Sequence, residues 1–170
     1  MPSAADRYQP AIGRDDDAVR HLSEARELAD RFSYHWPATW SRVQLGTLAV
    51  RQGQLDEARE LLDKALDLSL AARSTPFVAL CLAAHARLAF GEGDPERTAL
   101  LEGAAEGLRR RVSLPTWPLL RQVEAELVTR VRQRLGAGHF DQAFSAGSAL
   151  TQREAAAAAR NRPGTGAQTS

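Results

Sequence analysis

The residues best able to do chemistry are four histidines and one cysteine, and their spacing argues against a catalytic or metal centre. The histidines are His21, His35, His85 and His139. No two of them lie three or four residues apart, so no helix face carries a pair of zinc ligands, and the pattern HExxH is absent. Cys81 is the only cysteine, which excludes an internal disulfide and a four-cysteine metal site. Its apolar surroundings favour a buried small hydrophobic residue over a reactive thiol.

Other catalytic motifs are equally absent from the 170 residues. The sequence contains no GxSxG or SxxK nucleophile motif and no phosphate-binding GxxxxGK[ST] stretch. Three consecutive aspartates, Asp15 to Asp17, could suggest a calcium loop, but the rest of that pattern is missing, so we interpret them as a helix N-terminus. We therefore predict no catalytic residue, no metal site and no cofactor, and expect that the chain is not an enzyme.

The charge pattern does not favour a nucleic acid or a membrane as the partner. The net charge is +1, and the one dense basic cluster is Arg109 to Arg111. This cluster could contact phosphate, but it ends a predicted helix, where cations interact well with the helix dipole. The N-terminus lacks the features of a signal peptide, and no apolar run reaches the roughly 18 residues that span a bilayer. We expect a cytoplasmic protein without direct nucleic-acid binding.

Helix-period apolar stripes and glycine or proline breaks predict an all-α chain of about seven to eight helices. We expect residues 1–14 to be irregular, residues 15–160 to form one helical domain, and residues 161–170 to be a disordered tail. Thr151 and Glu154 have the spacing of a capping box that opens the last helix.

A forty-residue register organises the helices. It aligns Gly13, Gly53 and Gly93, and further positions repeat in the same way: Ala18, Ala58 and Thr98; Ala25, Ala65 and Ala105; Leu28, Leu68 and Leu108. The copies cover about residues 13–32, 37–72 and 75–112, followed by diverged helices over 117–160. A period of this length in helical sequence indicates stacked helical hairpins. We therefore predict a short right-handed solenoid.

Within the second copy, the sequence resembles the tetratricopeptide repeat. Leu45-Gly46 and Ala49 in the first helix, and Ala58, Leu62 and Ala65 in the second, match its pattern. The period is forty instead of thirty-four, and the third copy has His85-Ala86 in place of Leu-Gly. The resemblance implies an array whose first helices line a concave face.

The resemblance assigns four residues to that concave face as a candidate interaction surface: Trp40, Thr47, Arg51 and Arg87. The tryptophans Trp36, Trp40 and Trp117 lie near hairpin junctions. We interpret them as packing wedges between copies, with a ligand cage as the alternative.

The stretch from Gly93 to Ala155 has a more specific resemblance. Its order, which includes Gly93-Asp-Pro-Glu-Arg-Thr, Leu114-Pro, Phe140-Asp-Gln-Ala-Phe144 and Gly147-Ser-Ala-Leu-Thr, is similar to the C-terminal MalT-like repeat region of actinobacterial LuxR-family regulators with a large ATPase module. We expect the ATPase and the helix-turn-helix of that family to be missing from this chain.

The resemblance to these regulators implies a non-catalytic, regulatory protein-interaction module. A small-molecule inducer sensor and a degenerate fragment of a larger regulator are the alternatives. Self-association is also expected, because the shortened first copy leaves an apolar face uncovered around Val19, Leu22 and Phe32.

Overall fold

The computed structural model describes residues 4–161, with side-chain positions for residues 15–118 and 120–161. Within that range the chain forms eight helices and no strand, which confirms the all-α prediction. The helices are α1 (Ala4–Arg31), α2 (His35–Arg51), α3 (Leu55–Ala71), α4 (Thr75–Gly91), α5 (Pro95–Arg111), α6 (Pro118–Leu135), α7 (Ala137–Ala149) and α8 (Gln152–Arg160). The expected tail falls, apart from Asn161, outside the described residues. None of the described helices is long and apolar enough to cross a membrane.

Four consecutive helices, α2 to α5, have the same length of 17 residues and are joined by the same three-residue turn. In each turn the N-cap residue of the next helix is hydrogen-bonded to the preceding helix; the Gln54 and Asp94 amides donate to the carbonyls of Ala49 and Ala89, both at 2.9 Å. The middle residue has a positive φ, and these residues recur every twenty positions: Ser33, Gly53, Arg73, Gly93 and Ser113. The backbone therefore repeats once per helix, while the sequence repeats once per helical pair.

The positive φ at the turns predicts opposite effects for two substitutions. Arg73 has a φ of 51° and is exposed, whereas Gly53 has a φ of 76°. Because L-residues with a Cβ are strained in this region, we expect Arg73→Gly to raise the free energy of unfolding by up to about 1 kcal/mol. Gly53→Ala should lower it by about the same amount. Urea denaturation of both variants measures the difference, and shifts of the same sign would contradict the interpretation.

The core follows the small and large positions of the forty-residue register. Ala58, Leu62 and Ala65 on α3 are fully buried, as are Leu88 and Ala105 on the next pair. Gly46 lies directly against Leu62, where a Cβ would come within 2.8 Å of the leucine Cγ. The α2/α3 and α4/α5 hairpins therefore pack as the tetratricopeptide resemblance implies, with α3 against α4 between them.

The prediction for the N-terminus needs correction. Helix α1 begins at Ala4, so residues 4–14 are helical where an irregular segment was expected. Gly13 and Asp15 to Asp17 consequently lie inside the helix and are neither a turn nor an N-cap. A glycine within a helix costs only about 1 kcal/mol, which is too little to end a helix that its neighbours favour. Asp17 instead pairs with Arg20 one turn later, at 2.9 Å.

The last three helices do not continue the twenty-residue turn pattern, and all three contact α5. Helix α5 contacts α4, α6, α7 and α8, whereas the main neighbour of α1 is α2. Two leucines at equivalent positions of the forty-residue register show how this affects burial: Leu108 on α5 is 3 % exposed, whereas Leu28 on α1 is 56 % exposed. Leu28 is therefore exposed although the register aligns it with the buried Leu108. His21 is also exposed, and it lies near Glu24.

Candidate functional site

The four residues predicted to line the concave face lie in different surroundings. Trp40 is half-buried among other aromatic rings, and the Thr47 hydroxyl donates to the Val43 carbonyl at 2.8 Å. Arg51 is exposed and forms an ion pair with Asp15 of α1. Arg87 is half-buried, and its Nε and Nη2 atoms have no hydrogen-bond partner. Their role as one interaction face stays a prediction.

The tryptophans form one aromatic cluster with Phe77, where α2, α4 and the segment before α6 meet. Trp40 stacks on Trp36, with ring centroids 6.4 Å apart, and on Trp117 at 5.2 Å. Phe77 meets the edges of Trp36 and Trp117 at about 6 Å. The rings contact one another between successive copies, which fits the interpretation as packing wedges, while Trp36 is 58 % exposed; their role stays a prediction. Phe77 shares a register position with Trp117, and this equivalence is the sequence signal for its place in the cluster.

Next to this cluster, large apolar side chains are exposed around the α1–α2 turn. Leu28, Phe32, Tyr34 and Trp36 are between 56 % and 61 % exposed, and the Phe32 and Tyr34 rings stack at 6.0 Å. We call these four residues the aromatic edge. Exposed apolar side chains are common singly, but a group within nine residues marks a surface suited to a partner.

A second feature, which we call the acidic cavity, is an open pocket of about 260 Å³ between α5, α6 and α7. Three glutamates and two arginines meet apolar side chains in it; the lining consists of Glu102, Glu106, Arg109, Thr116, Arg121, Glu124, Ala125, Val128 and Phe144.

Arg109 neutralises part of this charge. Its Nη1 and Nη2 atoms donate to the two carboxylate oxygens of Glu124 at 3.2 and 3.0 Å, and both side chains are buried. Its Nε lies 3.5 Å from the Glu106 carboxylate, which is longer than an ordinary hydrogen bond. The Arg109 guanidinium therefore forms hydrogen bonds with Glu124 and lies close to the carboxylate of Glu106. Arg111 donates to the Ser148 and Leu150 carbonyls at the end of α7, so Arg109 and Arg111 both join helices, whereas Arg110 is exposed.

Glu102 is the one of the three glutamates that forms neither a hydrogen bond nor an ion pair with Arg109. It is 3 % exposed, and its Oε1 atom has no hydrogen-bond partner. Burial raises the pKa of Glu102 to about 8, with a further rise from the charge of Glu124 and a partial offset from Arg87 and Arg109. The side chain therefore carries its proton at neutral pH.

The sequence signal for Glu102 is its register position and not a catalytic motif. In the forty-residue register Glu102 is equivalent to Leu62, which is fully buried. A glutamate at a core position that its equivalent fills with leucine indicates a buried carboxyl group. Arg87, which the sequence predicts on the concave face, is close enough to Glu102 for its charge to lower the pKa of that carboxyl group.

The other candidate residues, His85 and Cys81, lie buried in the core. His85 is fully buried; its Nδ1 lies 2.8 Å from the Cys81 carbonyl and its Nε2 lies 3.1 Å from Asp63. Cys81 is buried, as predicted, and burial raises the pKa of its thiol to about 12, so it is not a thiolate nucleophile. Among the side chains that the structure describes, no group of three or more metal-ligating residues is placed to hold an ion.

A larger pocket of about 510 Å³ lies between α5, α7 and α8. Its buried cation, Arg97, already bonds Glu92 and the carbonyls of Ala158 and Ala159. Asp94 in the same pocket caps α5 by accepting from the Arg97 amide at 3.0 Å. The Arg97 hydrogen bonds hold α8 against α5, so the buried cation of this pocket is already partnered.

The fold and its packing thus define an all-α array of helical hairpins. The tetratricopeptide repeat family model matches residues 8–71, which contain most of α1 and all of α2 and α3. Repeats of this type commonly mediate protein contacts and are typically non-catalytic. Searches of the curated proteins and of the solved structures found no match.

Proposed function

We propose that the chain is a non-catalytic helical-repeat module that binds another protein through the aromatic edge. The observation that carries the proposal is the exposure of Phe32, Tyr34 and Trp36 beside the half-buried rings of the aromatic cluster. Aromatic side chains dominate the binding energy of protein interfaces, and here the Trp36 ring is already fixed by stacking on Trp40. Little side-chain entropy is therefore lost on binding.

We further infer that the module belongs to a signal-responsive regulator of the LuxR and large-ATPase type and works in the cytoplasm. The support is the forty-residue register and the resemblance over residues 93–155. In this setting Trp40, Thr47, Arg51 and Arg87 would extend the contact surface along α2 and α4. The neighbouring reading frames test the assignment: an adjacent ATPase or helix-turn-helix gene supports it, and unrelated neighbours in several genomes would count against it.

A photo-crosslinking residue at position 36 tests the interaction surface. We expect a benzoylphenylalanine at this position to give a discrete protein adduct in the producing cells, because the side chain lies in the centre of the contact. In purified protein, Trp36→Ser should weaken the same association on the order of tenfold or more. Mass spectrometry of the adduct identifies the partner, or a second copy of the chain.

The matched control is the same photo-crosslinker at Glu57, which is exposed on α3 away from the aromatic edge. Equal labelling at both positions would show that the adducts are not specific. If the protein also sediments as a monomer and position 36 gives no adduct, the aromatic edge is not an interface.

A further inference from the structure

We propose that one face of α1 pairs with α1 of a second copy of this chain, with the two helices antiparallel. The face, which we call the α1 face, consists of His21, Ala25, Leu28 and Phe32; these residues follow one another at helical spacing and are all exposed. This inference rests on the proposed function, because Leu28 and Phe32 also belong to the aromatic edge, and it names the protein that is bound.

The equivalent face of α3 shows what kind of element packs there. Leu62 and Ala65 of α3 are fully buried, and Gly46 of α2 lies directly against Leu62. At the equivalent positions of α1, Leu22 is half-buried and Ala25 is exposed, so none of the helices described over residues 4–161 covers this face. A three-residue turn joins α2 to α3, which makes the two helices antiparallel. The α1 face is therefore shaped for an antiparallel helix.

A second α1 has side chains that complement this face in one register. With the two-fold axis midway between Ala25 and Leu28, Ala25 of one copy lies opposite Leu28 of the other, and His21 lies opposite Phe32. Each large apolar side chain then meets a smaller or more polar one, so that the leucine fills the space beside the alanine. A surface patch that is complementary to itself is the requirement for a two-fold dimer.

The charges beside the α1 face favour the same register. Glu24 and Arg31 are exposed and lie two turns apart, too far to pair within one helix. In the antiparallel pair Glu24 of each copy lies next to Arg31 of the other, which gives two symmetric ion pairs. Among the described side chains Arg31 pairs with no carboxylate and lies over the Phe32 ring, 5.7 Å from its centroid. A parallel pair would instead place like charges side by side.

The experiment is sedimentation equilibrium of the full chain over a wide concentration range at low ionic strength. We expect a reversible monomer–dimer equilibrium. Leu28→Glu should weaken dimerisation on the order of tenfold or more, because it places a charge against the apolar side chains of the other copy. Leu28 is exposed, so the helical circular dichroism of the variant should stay unchanged.

Charge reversal tests the register and the identity of the partner. Glu24→Arg and Arg31→Glu should each weaken the dimer about tenfold, because two attractive pairs become repulsive. The double variant Glu24→Arg/Arg31→Glu should recover most of the affinity, which is possible only if both members of each pair come from the same sequence. Glu57→Arg, an exposed change on α3, is the matched control and should have no effect.

A dimer whose affinity the double variant does not recover overturns the antiparallel α1 pair. A monomer at all concentrations overturns it as well. If that monomer still gives an adduct with a different protein from position 36, the proposed function stands and only the second copy is excluded as the partner; if it gives no adduct, both proposals fail.

Discussion

Gly147→Ala is expected to lower the free energy of unfolding by roughly 3 kcal/mol, because α7 crosses α5 with the two backbones in direct contact. A Cβ at Gly147 would lie 1.9 Å from the Leu100 carbonyl oxygen and 3.0 Å from the Ala104 nitrogen. Both atoms belong to the α5 backbone, so no side-chain rotation relieves the clash and the helices must separate. Thermal and urea unfolding measure the loss.

Gly138→Ala is the matched control, since it places the same methyl group on the same helix. Gly138 is exposed in the first turn of α7, and a Cβ there meets nothing within 4 Å. Its replacement should stabilise the helix by up to about 1 kcal/mol through helix propensity alone. If both alanine variants moved stability by similar amounts in the same direction, the close crossing would not limit the packing of α7.

The α5–α7 crossing could be predicted only in part from the sequence. Gly103 and Gly107 stand four residues apart on one face of α5, and a Cβ at either would meet the backbone of Phe144 or Ser148 within about 2.3 Å. Such spacing indicates a close helix partner. It does not identify the partner, because α6 to α8 leave the forty-residue register. The contact is set by tertiary packing and not by local pattern.

The helix order and the buried positions were predictable because they depend on short-range patterns. The capping box formed by Thr151 and Glu154 is present, with the Thr151 side chain accepting from the Glu154 amide. The twenty-residue turn period was not visible, since Ser33, Arg73 and Ser113 occupy positions where glycine would have marked the turn. Gly13 had the opposite effect and suggested a turn inside α1.

The candidate site was harder to predict than the fold. Motif searches look for groups adjacent in the chain, whereas Glu102, Glu124 and Arg87 come from three helices. Comparison of register positions indicates Glu102 alone, because it replaces a core leucine. Its lack of a hydrogen-bond partner depends on how α6 sits against α5, which the diverged sequence of α6 does not reveal.

Glu102 should make the protein less stable as the pH rises. The ordinary pKa is 4.5 and the folded-state pKa is about 8, so between these values the folded chain holds a proton that the unfolded chain has lost. Stability is therefore fullest below pH 4.5 with respect to this group and declines up to about pH 8. The total loss is on the order of 4 kcal/mol, a large part of the stability of a small domain.

Glu102→Gln isolates this contribution, because the amide keeps the size of the protonated acid and cannot ionise. We expect the variant to be close to the wild type at pH 4.5 and clearly more stable at pH 8, with the difference measured by urea unfolding across that range. Asp30 and Asp63 do not produce such a difference: their pKa values are lowered, so they stabilise the fold above their ordinary value of 3.8, and they do so in both proteins. A difference between wild type and variant that stays constant from pH 4.5 to 8 would show that Glu102 is not held in its protonated form.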